Sequence, residues 1–282
     1  MKNLLSVLSL MLLGSCSAFD KPEDIPAYLF INDLNLIVNE ENEGTASHKI
    51  TDVWVTAGNT FIGTFPLGTT FPVLSTGPNR IAVNAGIKEN GISATRLPYP
   101  FYEPFVTTIH LSEGSVDTIV PTFRYKSNAI FAWMEDFEGT MGLKSTAQGR
   151  VAFNHTNDIA KVFEGEKSAV AFLDSTQSFL EVESIETFSL PRGKPVWVEI
   201  NYKSDVPVLI GIISISQTDV FKRPYAGFNA SEEWNKIYIN LTNIISEEPA
   251  FRSIKIMLSA GLPTSQPTGT VYIDNIKLLY LD

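Results

Sequence analysis

Residues 269–281 read GTVYIDNIKLLYL, and this stretch decides the fold class. β-branched and aromatic side chains dominate it, the composition of a strand with at least one packed face. Its counterpart is Ala129 to Phe137 (AIFAWMEDF), which opens the same unit after a composition shift near Ser127. Between the two, Ser168 to Leu173, Phe179 to Leu190, Val196 to Lys203, Val208 to Ser216, Trp234 to Leu241 and Ser253 to Ser259 read as strands, punctuated by Gly, Pro and Asn. Eight strands over about 150 residues suit a jelly roll, in which the first and last strands pair. No segment sustains a helical period, and no internal repeat is visible.

Upstream, the chain is β from Ala27 onward. Lys49 to Thr56 (KITDVWVT) alternates, with Ile50, Val53 and Val55 inward. Ala57-Gly58-Asn59 is a turn signal, and Thr60 to Phe65 pairs back as a hairpin. Pro78 to Ala85, Phe105 to Leu111 and Val116 to Tyr125 add strands. Residues 27–126 thus have the usual size of an Ig-like unit. The expected fold is all-β: an Ig-like β-sandwich at 27–126, then a β-jelly-roll sandwich at 127–282. Residues 86–104 interrupt the strand rhythm as a long connection. Tyr99, Phe101 and Tyr102 sit there among Pro98, Pro100 and Pro104. Extended prolines either display these rings to a protein partner, or the loop folds down and the rings cap the sandwich or the domain junction.

Lys2 supplies a positive start, and Leu4 to Leu13 is an apolar run of ten residues, too short to span a bilayer but suited to a signal peptide. Leu13-Gly14-Ser15-Cys16 resembles a bacterial lipobox. That resemblance implies a signal peptide at 1–15, lipidation of Cys16 and anchoring in the outer membrane, with residues 16–26 as a tether. Asp20, Glu23 and Asp24 either resemble the surface-export signal of Bacteroidota lipoproteins or form a solvated linker. The hairpin Val53 to Leu67 (VWVTAGNTFIGTFPL) resembles the PEGA-type surface-layer repeat, a module without catalytic residues.

In the second unit, Glu135 to Gly139 (EDFEG), Trp234 to Leu241 (WNKIYINL) and Val271 to Leu278 (VYIDNIKL) occur in an order that resembles carbohydrate-binding modules of the galactose-binding-like jelly-roll type. The resemblance covers more than half the chain and implies a glycan ligand. It also implies a structural Ca2+ on Glu138 and Asp274, joined by Asp136, and a core position for Trp234. Hard oxygen ligands from the first and last strands are what calcium takes. The alternative is that Asp274 bonds backbone amides at a strand bend while Glu138 is solvated. Stacking a sugar needs an exposed aromatic. Trp197 faces outward if Val196 and Val198 point in, and is buried in the inverse register. The segment Phe221 to Phe228 (FKRPYAGF) reads as a loop presenting Arg223 and Tyr225.

Glu181 and Glu183 share one strand face, the spacing of a glycosidase pair or of a solvent-facing stripe. His48, His110 and His155 have no partner at ligand spacing. Cys16 is the only cysteine, so the chain forms no disulfide within itself and has no multi-thiolate metal site. The net charge of −10, with scattered basic residues, argues against nucleic acid. The resulting expectation is a non-catalytic outer-membrane lipoprotein presenting a glycan-binding jelly roll. The alternative is an accessory subunit that binds an outer-membrane protein through residues 86–104.

Overall fold

The structure, a computed structural model, describes residues 23–250 and 252–282. The lipobox, the signal segment and most of the tether lie outside them. Nearly every element is a strand; among the described residues the only α-helices are Glu40–Glu43 and Thr242–Glu247. The all-β expectation holds.

The C-terminal half is a jelly-roll sandwich of two antiparallel sheets. One joins Asn154–Thr156, Ser168–Asp174, Thr268–Leu281, Val196–Ser204 and Ser231–Asn240 in that order, and Ala129–Glu135 also pairs with Thr268–Leu281. The opening and closing strands are therefore neighbours, with Ala129 opposite Leu281. The other sheet runs Leu143–Ser145, Phe179–Ser184, Ser253–Gly261, Val208–Ile215, Val220–Phe228. Alternation drives the packing. Val196, Val198, Ile200 and Tyr202 from the first sheet meet Ile210, Ile212, Ile256 and Leu258 from the second in one core. Each such aliphatic burial contributes about 1.5–3 kcal/mol. A bulge at Asn275, φ +48°, shifts the register of the closing strand between its pairings with Glu199 and Asn201. Asn tolerates this left-handed conformation better than most side chains, and the bulge re-aims Asp274 and Lys277 on either side of it.

The N-terminal half packs a sheet of Thr60–Pro66, Asp52–Ala57, Gly77–Lys88, Arg96–Pro98 and Phe105–Leu111 over a smaller one of Thr69–Val73, Ala27–Ile31 and Val116–Thr118. Its core contains Leu29, Ile31, Val53, Val55, Phe71, Ile81 and Val83. Residues 86–104 are not a free connection. Gly77–Lys88 runs on into this region, and Arg96–Pro98 pairs back on it with Gly86 opposite Pro98.

The same apolar cluster continues across the junction to Trp197, Tyr238 and Leu279 of the jelly roll. The N-terminal unit thus sits on the outer face of the six-stranded sheet. Tyr99, Phe101 and Tyr102 are buried there, with Tyr99 packed edge-on against Trp197 at 5.5 Å between ring centroids. These three residues do not form a displayed partner-binding surface. Rings this large desolvate more favourably against Trp197 and Tyr238 than in water.

At the centre of the junction is a buried carboxylate. Tyr99 and Tyr125 donate hydroxyl hydrogens to Glu199 Oε1 at 2.7 and 2.9 Å. The Lys236 ammonium lies 2.8 Å from Glu199 Oε2. Burial by itself raises the Glu199 carboxyl pKa, but Lys236, Lys277 and the Tyr99 hydroxyl outweigh it and hold it below its ordinary value. Lys277 Nζ donates to the Thr45 carbonyl at 2.7 Å, and burial pushes its pKa down to about 8.

Candidate functional site

Three strands of the six-stranded sheet carry their outward side chains in register. Asn201 lies opposite both Lys236 and Asp274, and Glu199 lies opposite Tyr238 and Lys277. The N-terminal unit covers these rungs; its Ser47 hydroxyl reaches Asn201 Oδ1 at 3.1 Å. One rung further along, beyond that cover, Lys203 pairs with Tyr272 and faces the bulge that carries Trp234. Trp234 and Tyr272 are half-buried and belong to neither core. Phe163, from the connection before Ser168, completes a trio. Its ring centroid is 5.5 Å from Trp234, and Trp234 is 6.4 Å from Tyr272, with interplanar angles of 56° and 57°. Phe172, 54% exposed, extends the same face on the next strand, where it lies opposite Thr270. The rings are mutually tilted, so they form a shallow aromatic cradle and not a flat plate.

The connection that bears Phe163 is held by two carboxylates. Asp274 Oδ2 accepts from the amides of Phe163 and Glu164 at 3.2 and 3.3 Å, and Oδ1 accepts from Asn275 N at 2.9 Å. Glu138 Oε1 accepts from the amides of Glu166 and Lys167 at 2.7 and 2.9 Å. Asp136 Oδ1 accepts from Glu138 N at 3.0 Å. Burial drives the Asp274 pKa up to about 7, against the opposing pull of its backbone donors.

This geometry also tests the expected calcium. A calcium cage turns several oxygens toward one point. Here the named carboxylate oxygens face N–H donors, and the Lys167 ammonium takes the Glu138 carbonyl at 2.8 Å. Among the described residues no group of three or more His, Cys, Asp or Glu is placed to hold a metal. Glu138, Asp274 and Asp136 therefore do not fit a calcium site as they stand; Glu138 and Asp274 anchor the Phe163 segment instead. Glu135, which the sequence reading passed over, secures the turn by accepting from Phe137 N and Gly142 N at 2.9 and 2.6 Å.

The remaining expected ligand residues separate. Trp197 takes the outward register, with Val196 and Val198 pointing in, but it is buried in the junction because the N-terminal unit covers that face. Arg223 lies on the strand Val220–Phe228, not in a loop, and its guanidinium is engaged by Glu247 and Glu248. Tyr225 is 38% exposed at a bulge of that edge strand, without a stacked ring beside it among the described residues. Glu181 and Glu183 face outward on the five-stranded sheet, Glu181 paired with Lys222 and Glu183 with Lys144 and Lys255. Trp234, expected in the core, lies outside it. The alternation of Ile237, Ile239 and Leu241 inward already places Trp234, Lys236 and Tyr238 on the other face, a signal legible in the sequence. Phe163 had no such signal, because only the fold brings its connection beside the two strands.

No family model and no curated protein sequence matches the chain. Among solved structures it is similar to a carbohydrate-binding module described as belonging to the β-sandwich superfamily, at 13% identity and a TM-score of 0.40, covering 91% of this chain and 99% of that one. It is also similar to the family 11 carbohydrate-binding module of Clostridium thermocellum in complex with a β-1,3-1,4-mixed-linked tetrasaccharide, at 16% identity and TM-score 0.37, covering 51% and 92%. A third likeness is to the enzymatically active domain of bacteriophage CBA120 tailspike protein 4, at 14% identity and TM-score 0.37; it covers 55% of this chain, which spans only 20% of that one.

Proposed function

We propose that this is a non-catalytic, lipid-anchored outer-membrane protein that binds glycan through the aromatic cradle of Phe163, Trp234 and Tyr272. The carrying observation is the convergence of three half-buried rings from three elements on one sheet face, outside both cores and beyond the N-terminal unit. Tilted rings with Lys203 between two of them offer both the apolar contact and the polar donor that a pyranose face and its hydroxyls require. In this reading residues 27–126 are an Ig-like or PEGA-like spacer, and residues 127–282 are the binding head. The protein-binding alternative loses its surface, since Tyr99, Phe101 and Tyr102 are interior.

A glycan array probed with the whole chain tests the reading. Trp234→Ala and Tyr272→Ala should each weaken any binding by about tenfold or more, as loss of a 1–2 kcal/mol stacking contact would. Their unfolding midpoints should stay close to that of the unmodified protein. Undiminished binding in both variants, or an array with no positive spot, removes the proposal. Anchoring rests on Leu13-Gly14-Ser15-Cys16. Cys16→Ser should release the protein from membrane fractions or leave its precursor uncleaved; a variant that is processed and fractionates normally rules lipidation out.

A further inference from the structure

The junction leaves a second concavity that the aromatic cradle does not use. Where the turn after Gly77–Lys88 meets the edge strand Ser231–Asn240, a cavity of about 430 Å³ opens, within the range of small-ligand sites. Its walls are fixed. Asn90 N donates to the Tyr238 carbonyl and Asn240 N to Asn90 Oδ1, each at 2.9 Å. Glu89 bridges to Tyr238 in parallel register, which joins the N-terminal unit to the sheet edge.

The lining runs against the average of the chain. The protein has 31 acidic and 21 basic residues, yet Lys49, Lys88 and Lys236 line this cavity and no Asp or Glu does. Lys236 is neutralised from behind by Glu199. Lys49 and Lys88 form no ion pair among the described residues; the Lys49 ammonium donates to the Asn235 side-chain carbonyl. Burial, with the Lys88 charge second, holds the Lys49 pKa below its ordinary value, as expected of two cations sharing one cleft. Around them stand Asn90, Asn229 and Asn235; Asn90 Oδ1 is taken by Asn240 N, and the Asn235 amide by Lys49 and the Tyr202 hydroxyl, which fixes both side chains with amide N–H donors to spare.

We propose that this cleft binds an acidic sugar, a pyranose-sized polyol bearing a carboxylate, with its charge met by Lys49 and Lys88 and its hydroxyls by the three asparagines. A charge-assisted contact is roughly twice as strong as a neutral one, and amide N–H groups suit hydroxyl oxygens. The site is separate from the aromatic cradle and does not depend on it.

Calorimetric titration of the whole chain with glucuronate, glucose and inorganic phosphate tests the assignment. Glucuronate should bind at least about tenfold tighter than glucose, and the double variant Lys49→Gln/Lys88→Gln should lose about tenfold or more of that affinity with its unfolding midpoint unchanged. Trp234→Ala should leave glucuronate binding intact, which separates this site from the cradle. No heat from glucuronate at millimolar concentration overturns the proposal, as do equal affinity for glucose and full binding by the double variant. Phosphate binding as tightly as glucuronate overturns the sugar half of it, and loss in Trp234→Ala overturns the location.

Discussion

Glu199→Gln should destabilise the protein by about 3–5 kcal/mol, the usual cost of removing one partner from a buried ion pair. The substitution keeps shape and a hydrogen-bond acceptor for Tyr99 and Tyr125, so packing is preserved. What it removes is the negative charge that offsets Lys236 and Lys277, both nearly inaccessible to water. The pH dependence carries a signature. Lys277 titrates near pH 8 when folded and near 10.5 when unfolded. A depressed lysine contributes stability that is present above its unfolded value and is lost as pH falls through its folded one. Glu199 holds the Lys277 pKa up, so its loss depresses that pKa further, and the deficit of the variant should therefore shrink as pH rises toward 8 and stay constant from there to about 10. Urea unfolding at several pH values reads both effects; a midpoint shift worth less than about 1 kcal/mol at pH 7 would mean that the charges are solvated and the pair is worth no more than a surface one.

Asp274→Asn should flatten a pH slope that the unmodified protein shows. The Asp274 carboxyl titrates at about 7 when folded and near 3.8 when unfolded. The folded state then holds the proton more tightly, so stability from this group is full below about pH 4 and is lost as pH rises to about 7. At about 1.4 kcal/mol per unit the swing is at most about 4.5 kcal/mol. Asparagine does not titrate, so the difference between the two proteins should change across that window and be constant outside it. The same pair of proteins decides the metal question. If Asp274 serves backbone amides, as its contacts with Phe163 and Glu164 indicate, calcium and chelator should give the same melting curve. A calcium-dependent rise that Asp274→Asn abolishes would establish a cation site and refute the amide-anchor account.

Much of the fold was legible because strands have a two-residue period. The parity of Val196, Val198 and Ile200 places the jelly-roll core, and the two ends of that unit pair as their composition implies. Parity alone cannot say what covers the opposite row. Trp197 reads as outward by that parity, and it is interior, with Glu199 and Tyr238 beside it, because a second unit lies on that face. The same limit left Tyr99, Phe101 and Tyr102 with two readings, display to a partner or capping of the domain junction, and the structure takes the second. Glu138 and Asp274 do act on one segment, but through its amides. A sequence gives the carboxylates and not the direction of the groups that face them.

The sheet edge formed by Ser231–Asn240 is closed by the Glu89 bridge, and the face beside it hides three charges under the N-terminal unit. The two halves are consequently not interchangeable cassettes. Cutting the chain near residue 127 would uncover Trp197, Tyr238 and Leu279 together with Glu199, Lys236 and Lys277, and would leave a raw strand edge open to pairing with other copies. Duplication or shuffling of the jelly roll alone would create a sticky fragment, so inheritance of the head is tied to inheritance of its companion.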